Sequence, residues 1–238
     1  MHVTKIVSAV VIALAALAAS TAPAAASFVF VGSRAALHLL GPTTSIDWGV
    51  YGPFGTTIST PDFRTVGPVT VGVASSQGVL SRHDEGADFN GDFAPGDHLL
   101  TDAGSQSDTF IVSFATPVRG FGTQMEADFI TGAWTGEIEL FDTSNTLIDT
   151  ILTSGTRGTA EDNSAPFFGI LSSSANISYA VFWVDQNPSN LPARSGAVAI
   201  NTLDVLGTAA VPESSSIALL AMGLLWLGGL MFVRRRVS

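Results

Sequence analysis

From residue 27 to 208 the apolar positions fall in short runs, many of them alternating with polar ones. Gly, Ser, Thr, Asp and Asn break the runs, which is the signature of strands joined by turns. Residues 109–114 put Phe110, Val112 and Phe114 on one face. Residues 136–141 put Ile138 and Leu140 on one face and Glu137 and Glu139 on the other. Asp142-Thr143-Ser144-Asn145 is a turn cluster, and 146–152 returns as the hairpin partner. Residues 118–127 form a longer strand in which Gly120 and Gly122 mark bulges or close packing. Further strands are predicted at 45–50, 56–59, 69–73, 79–82, 167–171 and 177–184, and 197–206 closes the set. Between the fourth of these and residue 109 lies a predicted loop over 84–104. No convincing helical period precedes the C-terminal segment. The expected fold is all-β, a two-sheet antiparallel sandwich of jelly-roll type.

The two ends break this pattern. Residues 1–26 combine a short start carrying Lys5, an apolar run over 6–19 and small residues at Ala24 and Ala26. That order predicts a secretory signal peptide cut by signal peptidase between Ala26 and Ser27. At the other end a linker and the triplet Val211-Pro212-Glu213 (residues 209–216) precede an uninterrupted apolar run over 217–233. These 17 residues make a helix of about 25 Å, a little short of the ~30 Å hydrocarbon core. Flanking serines and snorkelling arginines make up the difference. Arg234, Arg235 and Arg236 follow as a basic stop, with residues 234–238 on the cytoplasmic side. The implied topology is a domain at 27–208 outside the membrane and a tail inside.

The order Val211-Pro212-Glu213, polar step, apolar helix and arginine cluster resembles the PEP-CTERM sorting signal. The family usually has a second Pro after the Glu, where this chain has Ser214. The resemblance implies export by a Gram-negative bacterium that makes exopolysaccharide. It implies transient anchoring in the inner membrane, cleavage near Pro-Glu by an exosortase-like enzyme, and a final place at the cell surface or in the extracellular matrix of a biofilm. The phrases Gly91-Asp92-Phe93-Ala94-Pro95-Gly96-Asp97, Phe121-Gly122-Thr123-Gln124 and Phe167-Phe168-Gly169 also resemble β-sandwich domains that precede such tails.

Charge and chemistry refine the picture. Residues 27–208 carry nineteen acids, six arginines and no lysine, a surface that repels nucleic acid. The chain has no cysteine, so neither disulfides nor thiolate zinc sites contribute. The acidic loop gathers Asp84, Glu85, Asp88, Asn90, Asp92, Asp97 and Asp102, and offers Asp88, Asn90, Asp92 and Asp97 as candidate oxygen ligands for a structural Ca²⁺, or as plain turn formers. No cofactor is required. Among the tryptophans, Trp134 is the candidate for stacking on a sugar ring, because Thr131-Gly132-Ala133 before it reads as a loop. Trp183 alternates with Ile177, Tyr179 and Val181, which predicts core packing. Glu137 and Glu139 share a strand face and read as solvated rather than catalytic, and the three histidines of the domain lack metal-ligand spacing. The expectation is a non-enzymatic surface protein of structural or interaction type, associated with exopolysaccharide. A Ca²⁺-dependent carbohydrate-binding module is the alternative, and a secreted hydrolase ranks third.

Overall fold

A single hairpin shows how local chemistry builds this molecule. In strand β10 (Gly132–Phe141) the residues Trp134, Ile138 and Leu140 are buried, and Glu137 and Glu139 between them are part-exposed. The chain reverses where the Asp142 carboxylate accepts the amides of Ser144 and Thr146, and Asn145 takes up φ +59°. Strand β11 (Leu147–Arg157) then pairs back along the whole of β10.

The structure is a computed structural model that describes residues 26–102, 109–128, 131–185 and 196–207. Ala24, the sorting triplet Val211-Pro212-Glu213, the apolar run 217–233 and Arg234–Arg236 lie outside the described residues. Ala26 and Ser27 open the described part, in chain without regular structure. Among the described residues no helix is long and apolar enough to cross a membrane.

The elements before the hairpin are β1 (Phe28–Val31), α1 (Arg34–Leu39), β2 (Thr43–Ile46), a 3₁₀ turn (Trp48–Tyr51), β3 (Thr57–Ser59), β4 (Asp62–Val66), β5 (Val69–Ser75), β6 (Val79–Asp84), β7 (His98–Asp102), β8 (Phe110–Val118) and β9 (Gly120–Ala127). After it come β12 (Phe167–Ser172), β13 (Ile177–Asp185), β14 (Val198–Ile200) and β15 (Leu203–Leu206). All strand pairings are antiparallel and fall into two sheets. One sheet runs β1-β12-β9-β14-β7-β6-β3, with β15 joining β9 to β2. The other runs β11-β10-β13-β8-β5-β4.

The two sheets enclose one apolar core, so the fold is an all-β sandwich. Phe110 and Phe182 from the six-stranded sheet meet edge to face, at 5.9 Å between centroids and 80° between planes. Phe121 of the larger sheet contacts both Phe182 and Phe114. Val112, Ile138, Leu140, Met125, Ile200 and Val205 fill the space around them with no exposure above 1%.

Several sequence expectations are corrected. Residues 34–39 form a short helix, capped where the Ser33 hydroxyl accepts the Ala36 amide and anchored by Leu37 alone. The predicted strand 45–50 ends at Ile46, because Asp47 caps the 3₁₀ turn that follows. The loop predicted over 84–104 is shorter, since β7 occupies its end and pairs with β6 and β14. β1 and β4 were not predicted. The strand predicted at 197–206 is split at Asn201-Thr202 into β14 and β15.

β13 carries the most consequential difference. Its register against β8 shifts between Ile177 and Tyr179. A slip of this kind reverses which residues face inward. Ile177 is therefore buried, while Tyr179 and Trp183 stand on the outer face and Ala180, Phe182 and Val184 line the core.

Candidate functional site

Two places on the sandwich gather chemistry. The first is the outer face of the six-stranded sheet. Directly opposed residues of an antiparallel pair share a face. Phe141 therefore lies beside Tyr179, Tyr179 beside Ser113, Ser113 beside Gly72, and Gly72 beside Phe63. The Phe141 and Tyr179 rings are stacked at 4.6 Å and 5°. Gly72 has no side chain, and the Phe63 ring occupies the space a Cβ would need, 2.5 Å from that position. Phe63 is 60% exposed. This aromatic row crosses five strands, about 19 Å at the usual strand spacing. Next to it lie Val181, Glu139 and Thr150, and beyond them Trp183, Glu137 and Leu152. The Trp183 indole N–H donates to Glu139 Oε2 at 3.2 Å, which fixes the ring. Burial first, then the charges of Asp142 and Glu139, hold the Tyr179 phenol above its ordinary pKa, so it stays a neutral hydroxyl. The face thus offers ordered aromatic surfaces beside carboxylates and hydroxyls.

Trp134 is not part of it. This residue is 2% exposed and faces inward, with Phe168 edge-on at 6.3 Å. Its ring lies 2.5 Å from where a Cβ of Gly155 would sit, so that glycine makes room for it. The sugar-stacking role predicted for Trp134 is corrected: it fills the sandwich, and Trp183 is the tryptophan that reaches the surface. Trp48 is fully buried, its indole N–H donating to the Asn201 carbonyl at 2.6 Å.

The second place lies over the outer face of the larger sheet, beneath the loop 85–97 and the segment 158–166. β9 sends Phe121, Met125 and Ala127 into the core, so Gln124, Glu126 and, just past its end, Asp128 point the other way. Loop 85–97 covers them, held by Phe89 and Phe93 packed with Leu99, Ala165 and Ala199. Glu85 and Glu126 close on the backbone at Gly91 from two sides. Glu85 Oε1 accepts the Gly91 amide at 2.7 Å and Glu126 Oε2 accepts the Asp92 amide at 3.2 Å. A Cβ on Gly91 would overlap Glu126 Oε2 and lie 3.4 Å from Glu85 Oε2. Only glycine allows so close an approach. Burial pushes the Glu85 carboxyl up to about 7 and the Glu126 carboxyl up to about 8. In each case the amide hydrogen bond opposes the shift, and the nearby Asp92 charge adds to it. Arg157 is the cation of the cluster, 3.5 Å from Asp128, donating to the Asn90 carbonyl and resting on the Phe89 ring.

The four loop residues predicted as Ca²⁺ ligands are not brought together. Asp88 takes the His83 ring nitrogen and the Asp84 amide. Asn90 offers its carbonyl to Arg157. Asp92 accepts the amides of Gly158 and Ala160, tying the loop to the end of β11. Asp97 accepts from Asn201, which also bonds Gln124, and from the Ala94 amide. Among the described residues no group of three or more His, Asp or Glu side chains is arranged around a common metal position.

Sequence reasoning counted Glu85 among the oxygen donors of the acidic loop but passed over Glu126; the two are 2% and 0% exposed. The only signal for Glu126 was Gln124, Glu126 and Asp128 alternating with apolar residues, a pattern identical to that of a solvated face. The histidines of the described residues pair with acids: His38 with Asp204, His83 with Asp88, and His98 with Asp47 and Asp84.

No family model matches the chain, and no curated protein does. Among solved structures, a DUF4465 family protein from Bacteroides caccae is 10% identical, with a TM-score of 0.42, covering 70% of this chain and 100% of that one. CsCBM6-3 from Clostridium stercorarium, solved in complex with cellobiose, is 14% identical, with a TM-score of 0.30, covering 64% and 94%. A family two carbohydrate esterase from Cellvibrio japonicus is 14% identical, with a TM-score of 0.30, covering 70% and 35%. At these scores none of them carries family membership or function over to this chain.

Proposed function

We propose that this is an exported cell-surface or matrix protein whose sandwich, a jelly-roll-like carrier, associates with polysaccharide through the outer face of the six-stranded sheet. The observation that carries the reading is that face. Trp183 is fixed by Glu139, Phe141 is stacked on Tyr179, and Phe63 continues the row across the strands. Pyranose rings present apolar faces that pack on aromatic planes and hydroxyls that bond carboxylates. A row of about 19 Å accommodates a chain of several sugar units rather than one.

Delivery belongs to the same reading. The signal peptide and the PEP-CTERM-like tail would place the domain outside the inner membrane, and an exosortase-like enzyme would release it to the surface. The acidic, lysine-free composition of residues 27–208 supports a life among neutral or cation-bridged polymers and not on nucleic acid. Affinity electrophoresis through gels containing exopolysaccharide from the producing cell tests the binding claim. The protein is expected to be retarded and Trp183→Ala to run freely; equal mobility of the wild-type protein with and without polysaccharide would refute it.

A further inference from the structure

We propose that Glu85 and Glu126 together hold one Ca²⁺ between loop 85–97 and β9, a site separate from the aromatic face and from the four loop residues predicted as ligands. Each carboxylate spends one oxygen on a backbone amide, of Gly91 or Asp92. The remaining oxygens, Glu85 Oε2 and Glu126 Oε1, are fully buried and have no hydrogen-bond partner. The two carboxylates approach the same point of the loop, a Cβ position on Gly91 that Glu126 Oε2 would overlap and that lies 3.4 Å from Glu85 Oε2. An unpaired buried acceptor is costly, and a charged one more so.

The surroundings deepen the deficit. Asp92 and Glu161 act on Glu85, and Asp92 and Glu85 act on Glu126, all in the direction that disfavours ionisation. Glu161 stands over the same loop, 3.0 Å from a Cβ position on Gly86. Arg157 is the one cation acting on both glutamates, and it is shared with Asp128. A divalent cation would supply the missing partners and the missing charge at once. The donors are all hard oxygens, which selects Ca²⁺ over thiophilic metals. Two carboxylates leave further positions to backbone carbonyls and water, as Ca²⁺ accepts. Its effect would be to pin loop 85–97 onto the sheet.

The test uses the full chain in detergent, stripped with chelator and dialysed at pH 8. Elemental analysis after Ca²⁺ loading is expected to find one Ca²⁺ per chain. At about 100-fold excess over Kd the melting temperature should rise by about 5–10 °C. Glu85→Gln with Glu126→Gln should abolish both, while Asp88→Asn keeps them. No retained Ca²⁺ with an unchanged melt would overturn the proposal, as would an equal response in the double variant. Should that variant not fold, amide exchange in the wild-type protein decides. Slowing by Ca²⁺ concentrated in residues 85–97 supports the site, and absent or uniform slowing overturns it.

Discussion

Replacing Trp134 with Ala separates a core tryptophan from a binding one. The indole is 2% exposed, edge-on to Phe168 and seated in the space that Gly155 leaves open. Truncation removes the largest side chain of β10 from the inside of the sandwich. The strand is held by β11 on one side and β13 on the other, so it cannot collapse into the gap. The expected cost is therefore in the upper part of the range for buried Trp or Phe to Ala, about 3–5 kcal/mol. The indole N–H has no hydrogen-bond partner, so the loss is one of packing and cavity alone. Trp134→Phe keeps most of the ring and leaves no buried donor unpaired, so its cost should fall below about 1.5 kcal/mol. Urea unfolding followed by far-UV circular dichroism reads both as shifts in midpoint at constant slope. A loss under about 1 kcal/mol for Trp134→Ala would refute the placement of this ring in the core. So would loss of polysaccharide binding with stability intact.

Two further outcomes follow from the buried carboxylates and from the tail. In the presence of chelator, Glu85 and Glu126 keep their protons to about pH 7 and 8 when folded, whereas an unfolded chain releases them at roughly 4.3. The folded state binds more protons between these values, so their contribution is complete below the lower value and is lost as pH rises to about 8. Urea titrations should show stability falling by about 1.4 kcal/mol per pH unit for each group still titrating, and Glu85→Gln with Glu126→Gln should flatten the curve. Stability that is level or rising from pH 5 to 8 would contradict this. For sorting, Pro212→Ala with Glu213→Ala should leave the protein in the membrane fraction of its own host at full mass, and continued release of a shortened product would count against exosortase-like processing.

The sandwich was legible where alternation is regular. Phe110, Val112 and Phe114 face the core of β8 as expected, and Ile138 and Leu140 that of β10, because each strand has one buried face and one open one. Reading failed where a tertiary event resets the pattern. The register shift after Ile177 turns Tyr179 and Trp183 outward, and no residue type in 177–184 announces it. Trp134 was misplaced for a separate reason: β10 already begins at Gly132, so Trp134 falls in phase with Ile138 and Leu140 on the buried face. The acidic loop was legible as a concentration of oxygen donors, but not its wiring. Asp88 and Asp97 each satisfy a backbone amide close by in sequence, whereas Asp92 reaches the amides of Gly158 and Ala160 at the end of β11. Glu126, which accepts the amide of Asp92 34 residues before it, looks like a solvent-facing residue until loop 85–97 is laid over it. Burial of a polar face by a loop leaves no periodic trace.

The proposed association with polysaccharide rests most directly on Trp183, the one tryptophan of the described residues that reaches solvent. Isothermal titration of purified exopolysaccharide fragments into the wild-type protein and Trp183→Ala, with Trp134→Phe as the core control, measures that contact. Saturable binding is expected in the wild-type protein and the core control, and at least a tenfold weaker affinity in Trp183→Ala. Equal affinity in Trp183→Ala, or no binding by the wild-type protein, would contradict it.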